Sequence, residues 1–148
     1  MTAPRRTPYE DTAVSVERSK ETIRRLLKAT GALGVQFDEQ WSDPPRYRIR
    51  FIWPIDELNH VIRLEVSPLP PEPLSRGSGW RVSPEQRERQ AWRGLAHYLD
   101  GTIKAAEFGL IRFEDIFLSF IETTSGTTVG EALIPRLTAG PLQLEAGR

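Results

Sequence analysis

The chain has 148 residues, no net formal charge at pH 7, 39% apolar residues and no cysteine. This length suits one folded domain, and the lack of cysteine excludes disulfides, thiolate metal sites and thiol catalysis. No apolar stretch approaches the roughly 20 residues of a membrane helix, and the first residues lack the apolar segment of a signal peptide, so we expect a cytoplasmic protein with no membrane partner.

The first 31 residues predict an arm followed by an amphipathic helix. Residues 1–14 are polar, contain two prolines and show no periodicity, which predicts a flexible arm. Ser15 is a suitable N-cap and Gly31 a suitable C-cap for a helix between them. The apolar residues of this segment share one face, and the opposite face is strongly basic, as is common for a solvated helix surface.

Apolar residues then recur at every second position, which predicts three strands. The segments are 33–38, 46–53 and 59–66, separated by turns rich in proline, aspartate and asparagine. Such alternation indicates a sheet with one face packed on helices and the other facing solvent or a ligand. We therefore expect an antiparallel meander.

The second half predicts a loop and three helices. Residues 67–82 contain four prolines and two glycines and predict a loop. A long helix is expected from Pro84 to Phe108, with Ser83 as its N-cap. Shorter helices are expected at about 112–122 and 128–138, with a frayed tail at 141–148. The predicted fold class is α+β, as a single domain over residues 15–140: an N-terminal helix, a three-stranded antiparallel sheet, a long helix packed on one sheet face, and two short C-terminal helices.

Three segments resemble a family of small, largely uncharacterised phage and prophage proteins. YEDTAVSVERSKETIRRLLKATGALG (9–34) has the family's Tyr-acidic pair, Val-Ser segment, Ser-Lys helix and Gly-Ala ending. WRGLAHYLDGTIKAAEFGLIRFEDIFLSFI (92–121) resembles its later helices, and TTVGEALIPRL (127–137) resembles its ending. The resemblance implies a viral source and a bacterial host cell, and it supplies no catalytic motif to transfer.

A row of arginines on the second strand is the main functional signal. In RYRIRFIW, Arg46, Arg48 and Arg50 alternate with large apolar residues, and Arg63 of the next strand is expected on the same face. Like charges side by side repel, and phosphates would relieve that repulsion. With two tryptophans in nearby turns for base stacking, the predicted nucleic-acid-binding residues are Arg46, Arg48, Arg50, Arg63, Trp41, Trp80, Arg76 and Arg81. The alternative is a solvated face whose arginines pair with Gln36, Asp38 and Glu65.

Signals for an enzyme are weak. His60 and His97 lack metal-ligand spacing, and the adjacent acidic pairs of the sequence point apart in a strand or a helix. The segment RGSGW (76–80) lacks the Gly-Lys-Ser/Thr of a phosphate loop. We therefore expect no catalytic residues, no metal and no cofactor.

Two functions remain open from the sequence. The first is a non-catalytic single-stranded DNA-binding protein of phage origin, acting in replication or recombination, with DNA preferred over RNA. The second, favoured by the absence of net charge, is a protein-interaction module that uses the third and fourth helices, either as a virion assembly factor or as an inhibitor of a host enzyme. Exposed sheet edges and these apolar helices also predict a homodimer or a higher oligomer.

Overall fold

The structure, a computed structural model, describes residues 6–138. Within them an N-terminal helix, a three-stranded antiparallel sheet, a long helix and short C-terminal helices form an α+β arrangement, which confirms the predicted fold class. The elements are α1 (Val16–Thr30), β1 (Gly34–Gln40), β2 (Arg46–Ile55), β3 (Leu58–Val66), β4 (Glu72–Pro73), β5 (Trp80–Val82), α2 (Pro84–Glu107), α3 (Phe113–Phe117), a 3₁₀ turn (Leu118–Phe120) and α4 (Val129–Thr138).

Local capping signals define the two principal helices. The Ser15 hydroxyl accepts a hydrogen bond from the Arg18 N–H (3.2 Å), and α1 ends at Gly31, whose φ of 101° is the left-handed conformation that favours glycine. The Ser83 hydroxyl accepts from the Gln86 N–H (3.1 Å) at the start of α2. Both N-caps stand where the sequence predicts them.

The hydrophobic core lies between one face of the sheet and the helices. Alternate residues of β2, namely Tyr47, Ile49 and Phe51, are buried against α1 and α2, and Trp92 of α2 is fully buried among them. The other β2 side chains therefore point to the opposite, outer face, as the period of two requires. The strand order is β1-β2-β3, and Arg50 lies directly opposite Arg63 in the β2–β3 register.

The predicted third helix, 112–122, is shorter in the structure. After α3 and the 3₁₀ turn, the chain extends at Ile121, which forms a bridge with Ile62 of β3. The Glu122 N–H donates to the Val61 carbonyl oxygen at 2.8 Å. The edge strand β3 otherwise carries unpaired backbone groups, and this pairing satisfies some of them. It also carries Glu122 to the edge of the sheet.

Two predicted irregular segments are also organised. The loop expected at 67–82 contains the two-stranded antiparallel hairpin β4–β5. The part of the expected arm from residue 6 to residue 14 packs on α2, because the Gln90 side-chain amide donates to Thr7 Oγ1 and to the Pro8 carbonyl, both at 2.8 Å. Residues 1–5 and the predicted tail at 141–148 lie outside the described residues.

None of the helices between residues 6 and 138 is long and apolar enough to cross a membrane.

Candidate nucleic-acid interface

The arginine row of β2 lies on the outer face of the sheet, as its alternation with buried residues predicts. Arg46 is exposed and Arg48 and Arg50 are partly exposed, whereas Tyr47 and Ile49 between them are buried. The structure departs from expectation at Arg63, which is only 8% exposed. The four guanidinium groups therefore do not form one open surface.

Two glutamates from the C-terminal part of the chain neutralise the centre of this face. Arg50 donates from Nε and Nη2 to the two carboxylate oxygens of Glu122, at 2.8 and 2.9 Å. Arg63 donates from Nη2 to both oxygens of Glu131, each at 2.9 Å, and from Nη1 to the Gly126 carbonyl at 3.0 Å. These ion pairs join β2 and β3 to Glu122, which precedes α4, and to Glu131 in the first turn of α4.

The carboxylates are held ionised by these contacts. The hydrogen bonds from Arg50 keep the pKa of Glu122 below its ordinary value, although partial burial acts in the opposite direction. The Thr128 N–H, and after it Arg63, lowers the pKa of Glu131. The same pairing with Glu122 raises the pKa of Arg50. The repulsion expected between Arg50 and Arg63 is thus relieved within the fold itself.

Sequence reasoning missed these two partners. Glu131 carries a local signal, because Thr128 and Glu131 form a capping box in which the Glu131 N–H donates to Thr128 Oγ1 (3.2 Å) and the Thr128 N–H to the Glu131 carboxylate (3.1 Å). That pattern predicts the start of α4 but does not indicate Arg63 as a partner. Glu122 has no sequence signal that links it to Arg50.

The remaining arginines of the row differ in environment. Arg48 pairs with Glu65 across the β2–β3 register at 2.9 Å, as the alternative of a charge-paired face predicts. Gln36 and Asp38, the other predicted partners, are hydrogen-bonded to each other at 3.0 Å. Arg46 forms no ion pair with any residue from 6 to 138. It is therefore the cation of the row most accessible to a ligand.

A cleft of about 380 Å³ lies beside Arg46 at this end of the sheet. The cleft is lined by side chains of both charges: the basic residues Arg46 and Arg48 and the acidic residues Asp38, Glu39 and Glu65. Trp41 follows β1 directly and is 86% exposed. This end of the sheet thus combines an exposed aromatic ring with an accessible guanidinium group, but without a uniform positive field.

The other predicted site residues belong to the β4–β5 hairpin. Trp80 is half exposed, and Arg76 is exposed and forms no side-chain hydrogen bond within the described part of the chain. Arg81 pairs with Glu72 and with Glu10, the latter at 2.8 Å. The hydrogen bond from Arg81 is the main reason why the pKa of Glu10 falls to about 2. Arg81 therefore joins the hairpin to the N-terminal segment.

A buried lysine lies behind the sheet. Lys20 of α1 is 6% exposed, its Nζ is 5.0 Å from the centre of the Trp92 ring system, and it pairs with Glu39. Nearby, burial raises the pKa of Glu88, and burial with the charge of Glu88 raises that of Tyr47 to about 12. Among residues 6–138 no three histidine, aspartate or glutamate side chains are grouped so that they could hold a metal ion.

Exposed apolar side chains concentrate in the C-terminal helical region. Phe108 and Leu110 are 80% and 79% exposed in the turn that follows α2. The 3₁₀ turn packs against α4, and both add exposed leucines. We use the name C-terminal apolar surface for the exposed large apolar side chains between residues 108 and 137, namely Phe108, Leu110, Ile111, Leu118, Leu133, Ile134 and Leu137.

Comparisons with protein-family models, with curated proteins and with solved structures give no match for this chain. The similarity to small phage proteins therefore stays a prediction made from the residues.

Proposed function

We propose that this protein is a non-catalytic protein-interaction module that assembles through its C-terminal apolar surface. The observation that carries the proposal is the exposure of Phe108 and Leu110, two large apolar side chains in one short turn. Burying a side chain of this kind is worth about 1.5–3 kcal/mol. Apolar patches of this sort mark protein interaction sites on soluble proteins.

The charge distribution supports the same proposal. The centre of the outer sheet face already has its cations paired with Glu122 and Glu131, so phosphates would have to displace carboxylates there. The C-terminal apolar surface has no such internal partner for Phe108 or Leu110, which are largely in contact with solvent. Phe108 and Leu110 are therefore available to an apolar partner.

The partner in this proposal is a second copy of the chain. Most soluble oligomers are assembled from copies of one chain, and two-fold symmetric dimers are the commonest of them. In the setting that the phage resemblance implies, the assembled protein would serve in virion assembly or in inhibition of a host enzyme.

Analytical ultracentrifugation across a wide range of protein concentrations tests this assignment. We expect the wild type to be a dimer or larger, and the double variant Phe108→Glu/Leu110→Glu to sediment as a monomer. The control is Leu33→Glu/Leu58→Glu, which introduces the same charges at exposed leucines outside the C-terminal apolar surface and is expected to leave assembly intact. A wild type that is monomeric at every concentration would contradict the proposal.

A second candidate function, single-stranded DNA binding in phage replication or recombination, is favoured by one observation. Trp41 is 86% exposed and begins the five-residue loop 41–45, which leads into Arg46, the unpaired arginine of the row. An aromatic ring for base stacking beside a guanidinium group for phosphate is the usual composition of a single-strand site. We propose Trp41 and Arg46, with Arg48 behind them, as its contact residues.

Fluorescence anisotropy with a labelled single-stranded oligonucleotide and its duplex, at low and moderate salt, tests this candidate. We expect tighter and salt-sensitive binding to the single strand, and a loss of about tenfold in Trp41→Ala/Arg46→Gln. The variant Tyr98→Ala/Arg136→Gln makes a matched change at exposed side chains outside β2 and the loop before it, and should bind normally. Replacing Arg50 would be a poorer test, because it would leave the Glu122 carboxylate without its main ion-pair partner. No binding at low salt would exclude this function.

A further inference from the structure

A groove of about 480 Å³ runs between α1 and α2, the two long helices that pack side by side. Arg18 and Arg25 of α1 line one wall and Arg93 of α2 lines the other, together with His97, whose ring is stacked on that of Tyr9. Because both helices cover the inner face of the sheet, this groove opens on the opposite side of the molecule from the arginine row of β2.

In the described part of the chain, none of the three groove arginines lies within ion-pairing distance of a carboxylate. Two acidic residues also line it, but Glu21 pairs with Arg24 at 3.2 Å and Asp100 with Lys104 at 2.9 Å. Among residues 6–138, Arg18, Arg25 and Arg93 form neither an ion pair nor a side-chain hydrogen bond. This contrasts with the sheet, where Arg48, Arg50 and Arg63 are all paired.

The spacing of the three guanidinium groups favours an extended anion. Arg18 and Arg25 are two helical turns apart, about 10 Å along the axis of α1, and so lie on the same side of that helix. Arg93 is half-buried and faces them from α2. One small anion would satisfy only part of this set, whereas a chain of phosphates could contact both walls.

We propose that this groove binds a ligand that carries two or more phosphate groups. Guanidinium forms bidentate hydrogen bonds with phosphate, and such charge-assisted bonds are the stronger ones in proteins. Binding would also relieve the mutual repulsion of the three arginines. A free polyphosphate, a nucleotide and a nucleic-acid backbone share this chemistry, and the experiment below separates them. The proposal does not depend on assembly through the C-terminal apolar surface.

Isothermal titration calorimetry of the full chain at low salt tests the proposal, with inorganic tripolyphosphate as the probe. Orthophosphate and a short oligothymidylate are titrated in parallel. The variant is Arg18→Gln/Arg25→Gln/Arg93→Gln. The control, Lys28→Gln/Arg112→Gln/Arg136→Gln, removes the same total charge at residues that do not line the groove, and circular dichroism establishes that both variants are folded.

We expect tripolyphosphate to bind more tightly than orthophosphate, a loss of at least about tenfold in the groove variant, and little change in the control. Preference for tripolyphosphate over the oligothymidylate would indicate a soluble polyphosphate or nucleotide, and the reverse preference a nucleic-acid backbone. If neither probe binds the wild type, or if the control loses affinity as much as the groove variant, the proposal is overturned.

Discussion

Arg50 of β2 and Glu122, which is 72 residues later in the chain, form a two-pronged ion pair with N–O distances of 2.8 and 2.9 Å. Arg63 lies 3.9 Å from the same carboxylate. Glu122 therefore compensates two cations that face each other across β2 and β3. A face that looks uniformly basic in the sequence is in the structure a set of paired charges.

The first prediction concerns this ion pair. Glu122→Gln should destabilise the fold by about 1–2 kcal/mol, because it leaves Arg50 and the buried Arg63 with less negative charge nearby. Glu65→Gln breaks the more exposed pair with Arg48 and should cost no more than about 0.5 kcal/mol. Urea unfolding of both variants measures the difference. Equal losses would mean that the burial of Arg63 does not matter.

The second prediction concerns the pH dependence of Glu10. Its carboxylate is buried and bonded to Arg81 and Thr7, which lowers its pKa from 4.5 to about 2. Because the folded state binds the Glu10 proton less readily than the unfolded state, this stabilisation is present above pH 4.5 and is lost as the pH falls towards 2.

Unfolding of wild type and Glu10→Gln across that pH range tests the linkage. We expect the variant to be less stable at neutral pH and the gap between the two proteins to close in acid. A gap of constant size from neutral pH to pH 2 would show that the carboxylate charge is not the source of the stabilisation.

The third prediction compares two glycines. Gly101 lies inside α2 with open space where a Cβ would stand, so Gly101→Ala should stabilise the protein by about 0.5–1 kcal/mol. Gly31 has a φ of 101° at the end of α1, so Gly31→Ala should destabilise it by about 1–2 kcal/mol. Thermal unfolding should therefore shift in opposite directions. A shift of the same sign in both would show that helix propensity and backbone strain are not the deciding effects.

The fourth prediction concerns Phe117, the side chain that anchors α3 to the sheet. It is 1% exposed, and its ring meets that of Phe51 edge-on at a centroid distance of 5.4 Å. Phe117→Ala should cost about 3–5 kcal/mol through lost burial and the cavity left behind. Trp41→Ala removes a larger but 86% exposed side chain and should be nearly neutral in the same denaturation assay. A small loss for Phe117→Ala would mean that α3 can repack.

Much of the fold could be predicted because its signals are local. The N-caps Ser15 and Ser83 each accept a hydrogen bond from the backbone N–H three residues later. The alternation of buried and exposed residues in β2 follows from the pleat of a single strand. The strands and α2 accordingly begin and end close to their predicted limits. The helix predicted at about 112–122 ends earlier, because after the 3₁₀ turn Leu118–Phe120 the chain extends and Ile121 pairs with Ile62 on β3.

The candidate site was predicted only in part, because charges act on whatever the fold brings near them. Period-two alternation determines that Arg46, Arg48 and Arg50 share the outer face of the sheet. Only the tertiary structure decides that Glu122 forms an ion pair with Arg50. It also decides that Arg18, Arg25 and Arg93 meet in the groove between α1 and α2 without an ion-pair partner in the described part of the chain. Backbone periodicity is a property of neighbouring residues and can be read along the chain. The partner of a charge is set by packing between segments tens of residues apart, which depends on the core as a whole.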